Sequence, residues 1–192
     1  EELLPLDNIN IALLRQLLKL KIFGDKTENG KRQFYSPFLM ALVLLSDDDA
    51  IDIRYSAETD RTTVVNMTNH SYFNLDGDPS KSNSDYLLTI DADAYTPVDS
   101  TFMTTGEIVS VEGTDMDFRT PTAVGARIDN DFEQLKNGKG YDHNWVLNTK
   151  GDLSQVAAKL TSPESGITLE VYTNEPGVQV YTGNFLDGTV TG

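Results

Sequence analysis

Cysteine is absent from the 192 residues, so no disulfide, zinc thiolate or thiol nucleophile is available to this sequence. Basic residues are scarce: 15 Lys and Arg face 30 Asp and Glu, and the resulting net charge of −15 repels phosphate backbones and anionic lipid headgroups. Nucleic acid is therefore not an expected partner. No apolar run approaches the ~20 residues that a membrane-spanning helix needs, so no membrane span is expected. The opening stretch EELLPLDNINIALLRQLLKLKIF starts with two acids and carries Asp7, Arg15, Lys19 and Lys21 through its apolar part. That is unlike the basic start and clean apolar middle of a secretory signal. Together with the missing cysteines it fits a reducing compartment, and the expected location is cytoplasmic.

What is present is an ordinary apolar content, 39%, sufficient for one sizeable core. Residues 7–24 read as a helix: Asp7 can cap it, Leu13, Leu14, Leu17 and Leu18 recur on one side, and Gly24 can close it. The segment TENGKRQ reads as a turn, and FLMALVLL as a buried run whose type its periodicity leaves open. From Asp47 onward alternation with period 2 dominates. Ile51, Ile53, Tyr55 and Ala57 share one face of a strand, as do Ile167, Leu169 and Val171, while YLLTI, GEIVSV, HNWVL and VQVY look like further short strands between Gly, Pro, Asp and Asn. The acidic SDDDA is either a hairpin turn or the seam between unlike regions. This predicts an N-terminal segment of uncertain structure over 1–48, joined to an antiparallel β-sandwich region over 49–192.

Histidine occurs only twice, and one copy sits within NMTNHSYFNL, residues 66–75. If 63–70 is a strand, His70 shares its face with Asn66 and Thr68, a face too polar for ordinary core. Asn and Thr beside a histidine can hydrogen-bond it or the hydroxyls of a ligand. A structural histidine at a strand end explains the same pattern, and the residue pattern alone favours that reading. DADAYTPVD lacks the glycine and terminal glutamate of a calcium loop, and NGKGYDHN lacks both dinucleotide and P-loop spacing, so both read as turns. No metal site is expected.

Four ordered stretches change the weight of these readings. VVNMTNHSYFNLDGD, then YTPVDSTFMTTGEIVSVEGTDMDFRTPTAVGARI, GYDHNWVL and LEVYTNEPGVQVYTGNFLDG together resemble the aldose 1-epimerase (galactose mutarotase) family over about residues 49–188. The resemblance implies a large antiparallel β-sandwich. It also implies interconversion of the α and β anomers of a free aldohexose such as galactose or glucose, with no cofactor or metal. By motif position His70 matches the family's proton donor to the ring oxygen, Asp142 of GYDHN its hydroxyl acceptor, and Gln179 of PGVQ a further substrate contact. Ser71 and Tyr72 flank the acid and shape the pocket. Asp99, Asp117 and Arg119 are expected to be architectural, and His143 structural, pointing away from Asp142.

The match departs from the family pattern at both ends. The family's general base is a glutamate on a strand after FLDG, which this sequence does not reach, and neither the family's arginine nor its LHGG-like histidine motif is visible in residues 1–48. Glu175 occupies a turn and is expected to be an exposed acid. The leading reading is thus a mutarotase enzyme or part of one. A non-catalytic carbohydrate-binding module retaining Asp142 and Gln179 is a second, and a fragment whose open sandwich edges are completed by a partner chain or missing segments is a third.

Overall fold

The computed structural model describes residues 25–28, 31–34, 38–46, 49–60, 62–78 and 80–186. The chain divides into two compact units, Glu1–Tyr72 and Phe73–Gly192. The helix predicted for 7–24 lies outside the described residues.

In the first unit, β1 (Asp25–Glu28) and β2 (Lys31–Phe34) pair antiparallel with Glu28 facing Lys31. Thr27, Glu28, Lys31, Arg32 and Gln33 of TENGKRQ, read as a turn, thus lie in paired strands. The run FLMALVLL is strand β3 (Phe38–Leu45), and it pairs along its whole length with β4 (Ile51–Glu58), from Phe38↔Glu58 to Leu45↔Ile51. SDDDA is the hairpin connection, with the Ser46 N–H donating to the Ala50 carbonyl. The boundary expected at 48/49 thus falls inside a hairpin, and the compact units part instead at 72/73. Of the run expected to be buried, Leu42 and Leu44 are half-buried while Val43 and Leu45 are exposed, as are Ile51 and Tyr55 on the paired strand. The pairing register, which the periodicity left open, makes the run a strand.

The strand considered over 63–70 is not formed. No ladder is formed there, and most of the segment is exposed, Val64 to 90%. An extended segment becomes a strand only when a neighbour accepts its N–H and supplies its C=O partners, and among the described residues none does.

The second unit contains two four-stranded antiparallel sheets. One has the order β11 (Thr168–Val171), β10 (Ala158–Thr161), β5 (Leu87–Ile90), β8 (Thr122–Ala123); the other β12 (Gly177–Tyr181), β9 (Asp142–Val146), β6 (Ala94–Thr96), β7 (Val109–Ser110). Alternation sorts the side chains. Leu88 and Ile90 of β5, Tyr95 of β6 and Trp145 of β9 turn into one core, joined by Val111, Met116 and Phe118 from the long connection after β7 and by Tyr141. Both sheets feed this core, which makes the unit an antiparallel β-sandwich.

DADAYTPVD, read as a turn, holds β6, and NGKGYDHN holds the end of a short helix and the start of β9. That helix, α1 (Glu133–Gly138), is fastened by Gln134: its Oε1 accepts from the Val98 N–H at 2.8 Å and its Nε2 donates to the Val98 carbonyl at 3.0 Å. A buried amide is tolerated there because both its ends are satisfied. Asn137 Nδ2 donates to the same Val98 carbonyl at 3.1 Å, and sequence periodicity could not find a six-residue helix held by such contacts.

Candidate functional site

Strand β9 lies between β12, which pairs with its whole length, and β6, which pairs with Asn144–Val146, so its side chains are held in register. His143 and Trp145 face the core, while Asp142, Asn144 and Val146 occupy the opposite face. Across the ladder Tyr181 pairs with Asp142 and Gln179 with Asn144, and on the other side Thr96 pairs with Asn144. Paired residues share a face, so Asp142, Asn144, Gln179, Tyr181 and Thr96 form one polar patch. Within it Gln179 Nε2 donates to Asp142 Oδ1 at 2.8 Å. The structure therefore brings two of the expected site residues into direct contact. Asp142 is half-buried and Gln179 exposed, which leaves this pair open to a ligand.

The start of β9 is fixed from behind. The Tyr141 N–H donates to Thr182 Oγ1 at 3.1 Å, and Asn184 Nδ2 donates to the Gly138 and Tyr141 carbonyls at 2.9 and 2.8 Å. Gly140 has φ 129° and a Cβ there would overlap the Asn184 amide, so the glycine is needed both for conformation and for space. The Tyr-Thr-Gly-Asn stretch after β12 thus clamps the strand that carries Asp142.

His70, Ser71 and Tyr72 lie in the first unit, on an exposed stretch outside the strands. The ring centroids of His70 and Tyr72 are 5.2 Å apart and tilted by 55°, and the Ser71 N–H donates to Asn69 Oδ1 at 3.0 Å, which folds the backbone locally around the histidine. Asp99 and Asp117 have local structural partners. Asp99 Oδ1 accepts from the Thr101 N–H and hydroxyl and the Met103 N–H, and the Asp117 carboxylate is held below its ordinary range by the Arg119 guanidinium, which meets it at 3.0 and 2.7 Å. Glu175 is exposed in a bend. Among the described residues no group of three or more acidic or histidine side chains is placed to hold a metal ion, and no helix is long and apolar enough to cross a membrane.

The family model of aldose 1-epimerase matches residues 27–191. The chain belongs to the aldose 1-epimerase family. Galactose mutarotase of Sus scrofa is 45% identical over 170 residues, covering 88% of this chain and 48% of that protein. Aldose 1-epimerase of Escherichia coli K12 is 45% identical over 145 residues, covering 76% and 41%. The crystal structure of galactose 1-epimerase from Lactobacillus acidophilus NCFM superposes with a TM-score of 0.71 at 29% identity, covering 87% of this chain and 47% of that one. The chain spans about half the length of the relatives it matches.

In this chain the second histidine has a structural part. His143 is 1% exposed, packs edge-on against Tyr95 and Trp145, and accepts the Asp142 N–H at Nδ1, 3.1 Å away. Burial pushes its pKa down to about 4, only partly opposed by the nearby Asp142 carboxylate. A histidine that stays neutral when folded but gains a proton near pH 6.5 when unfolded contributes its full stability above that pH. As pH falls from about 6.5 to about 4 the unfolded chain binds the extra proton and stability drops, by roughly 3 kcal/mol if the whole shift is expressed. Urea unfolding at a series of pH values should show this slope in the wild type and its reduction in His143→Asn; equal slopes would rule out His143 as the source.

Sequence reasoning missed Asn144, Thr96 and Tyr181. The signal was available for Asn144 and Tyr181, since each lies two residues from Asp142 or Gln179 on a strand whose motif had already been recognised. For Thr96 none existed, because its place depends on β6 pairing with β9.

Proposed function

We propose that this region carries the sugar-binding face and the acid of an aldose 1-epimerase that interconverts the anomers of free aldohexoses such as galactose or glucose. The contact between Asp142 and Gln179 supports the reading most directly. A carboxylate and an amide locked together present acceptors and donors of fixed direction, the combination that sugar hydroxyls require. With Gln179 Nε2 committed to Asp142 Oδ1, the second carboxylate oxygen and the Gln179 Oε1 accept, and the remaining amide N–H donates.

The chemistry places two demands on the site. A base removes the proton from the anomeric hydroxyl, C1 becomes a carbonyl as its bond to the ring oxygen breaks, and an acid protonates that oxygen. Rotation about C1–C2 and reclosure on the other face complete the exchange, with no net change in protons. His70 is assigned the acid, since an imidazole nitrogen can give a proton to the ring oxygen and recover it in each cycle. A carboxylate base completes the pair. Ser71 and Tyr72 bound the histidine, and Tyr72 holds a ring against it.

Asp142→Ala is expected to weaken galactose binding by about tenfold or more, the usual loss for a hydrogen bond to a charged group. Calorimetric titration of galactose into wild type and variant tests this, and equal affinities would remove Asp142 from the site. Polarimetry on fresh α-galactose in the same samples separates the enzyme from the non-catalytic module. Binding without turnover by the 192-residue chain supports the module, and turnover the enzyme.

A further inference from the structure

We propose that Asn144 is a third sugar-recognition residue, reading one hydroxyl of the bound hexose beside Asp142, and that Gly177 exists to leave it room. The inference rests on the assignment of the Asp142–Gln179 face to sugar. Three observations carry it, all within the second unit.

Asn144 is at the centre of the face. It follows Asp142 by one pleat of β9, about 6.5–7 Å along the strand, a span comparable with the spread of hydroxyls across a pyranose. Gln179 lies opposite it on β12 and Thr96 opposite it on β6.

The Asn144 amide is under-committed. Its one side-chain hydrogen bond among the described residues runs from Nδ2 to Thr96 Oγ1 at 3.5 Å, beyond the usual range for a strong bond. A primary amide has two donor hydrogens and an acceptor oxygen, and here Oδ1 has no partner among the described residues and is not shut off from solvent, so it is available to a ligand hydroxyl. Asparagine is also a poor strand residue, so packing does not favour it in the middle strand of a sheet. A ligand hydroxyl supplies that oxygen with a donor and gives an asparagine a use at this position.

The amide is steered by an absence. A Cβ built on Gly177 would overlap Asn144 Oδ1 and come within 3.0 Å of both Asn144 Cγ and the Trp145 carbonyl oxygen. The backbone of Gly177 is not in the left-handed region, so conformation does not demand glycine here; space does. Any side chain at 177 pushes the Asn144 amide out of its place or moves β12 from β9. Gly177 is therefore a positioning residue for Asn144.

The test is calorimetric titration of the full chain with galactose and with its 2-, 3-, 4- and 6-deoxy analogues. Asn144→Ala should weaken galactose binding about three- to tenfold, the range for a neutral hydrogen bond. The analogue lacking the recognised hydroxyl should bind wild type and variant alike. Gly177→Ala should reproduce the pattern, and the double variant should lose no more than the worse single one, because both remove the same contact. Asn144→Asp, which keeps the shape, guards against a loss due to packing. If Asn144→Ala leaves galactose affinity unchanged, or weakens every analogue by the same factor, the proposal fails. If Asp142→Ala still weakens binding in that case, the sugar face stands and only the role of Asn144 is lost; if the wild type binds no sugar, both fall.

Discussion

Replacing His70 with alanine is expected to slow mutarotation by roughly 10²–10⁴-fold in a protein containing this region, the usual contribution of a positioned general acid. The ring oxygen would leave as an alkoxide or wait for water to protonate it, and either path has a higher barrier. Sugar affinity should fall far less, since Asp142 and Gln179 are untouched and hydrogen bonds to hydroxyls do not need the proton transfer. Polarimetry on fresh α-galactose at neutral pH measures the rate, and titration measures the affinity. A rate within a few-fold of wild type would make His70 a structural residue.

Removal of the Trp145 side chain is expected to cost about 3–5 kcal/mol, the range for truncating a buried aromatic. The ring is fully buried, meets Phe118 edge-on with centroids 5.8 Å apart, and donates from Nε1 to the Met116 carbonyl at 2.9 Å. Against a total stability of about 5–15 kcal/mol such a loss leaves a domain near its unfolding threshold. Urea unfolding followed by far-ultraviolet circular dichroism is the measurement, since the variant loses the only tryptophan. Trp145→Phe keeps most of the apolar area but removes the donor to Met116, and should cost about 1–3 kcal/mol. A Trp145→Ala protein unfolding at the wild-type urea concentration would contradict the core assignment. Trp145 and Asp142 sit on opposite faces of one strand, so the same stretch of sequence anchors the sandwich and presents the candidate site.

That double duty explains what could be read early. Alternation along GYDHNWVL already separates Asp142 from His143 and Trp145, because a strand turns successive side chains to opposite sides whatever it pairs with. The motif resemblance supplied the family, and it marked Asp142 and Gln179 some 37 residues apart as partners on one ligand. The same local logic failed at 62–70. Those residues alternate well enough to suggest a strand, yet pairing depends on a neighbour whose presence no local pattern encodes. It failed again at β3, where apolar content was taken for burial although Val43 and Leu45 are exposed.

The sequence by itself determined the chemistry available to this protein: no thiols, a strongly acidic surface, two histidines of which one stands among polar neighbours, and the motifs of the aldose 1-epimerase family. These are properties of composition and spacing, and they hold in any fold. Tertiary structure alone decided which side chains meet. It set Gln179 against Asp142, brought Thr96 of β6 beside Asn144 of β9, and made the missing side chain of Gly177 a condition for the Asn144 amide. The physical reason is register. A strand's own sequence sets which face a residue occupies, but its neighbours across the ladder come from segments tens of residues away, and only the hydrogen-bonded sheet fixes them to within a side-chain length.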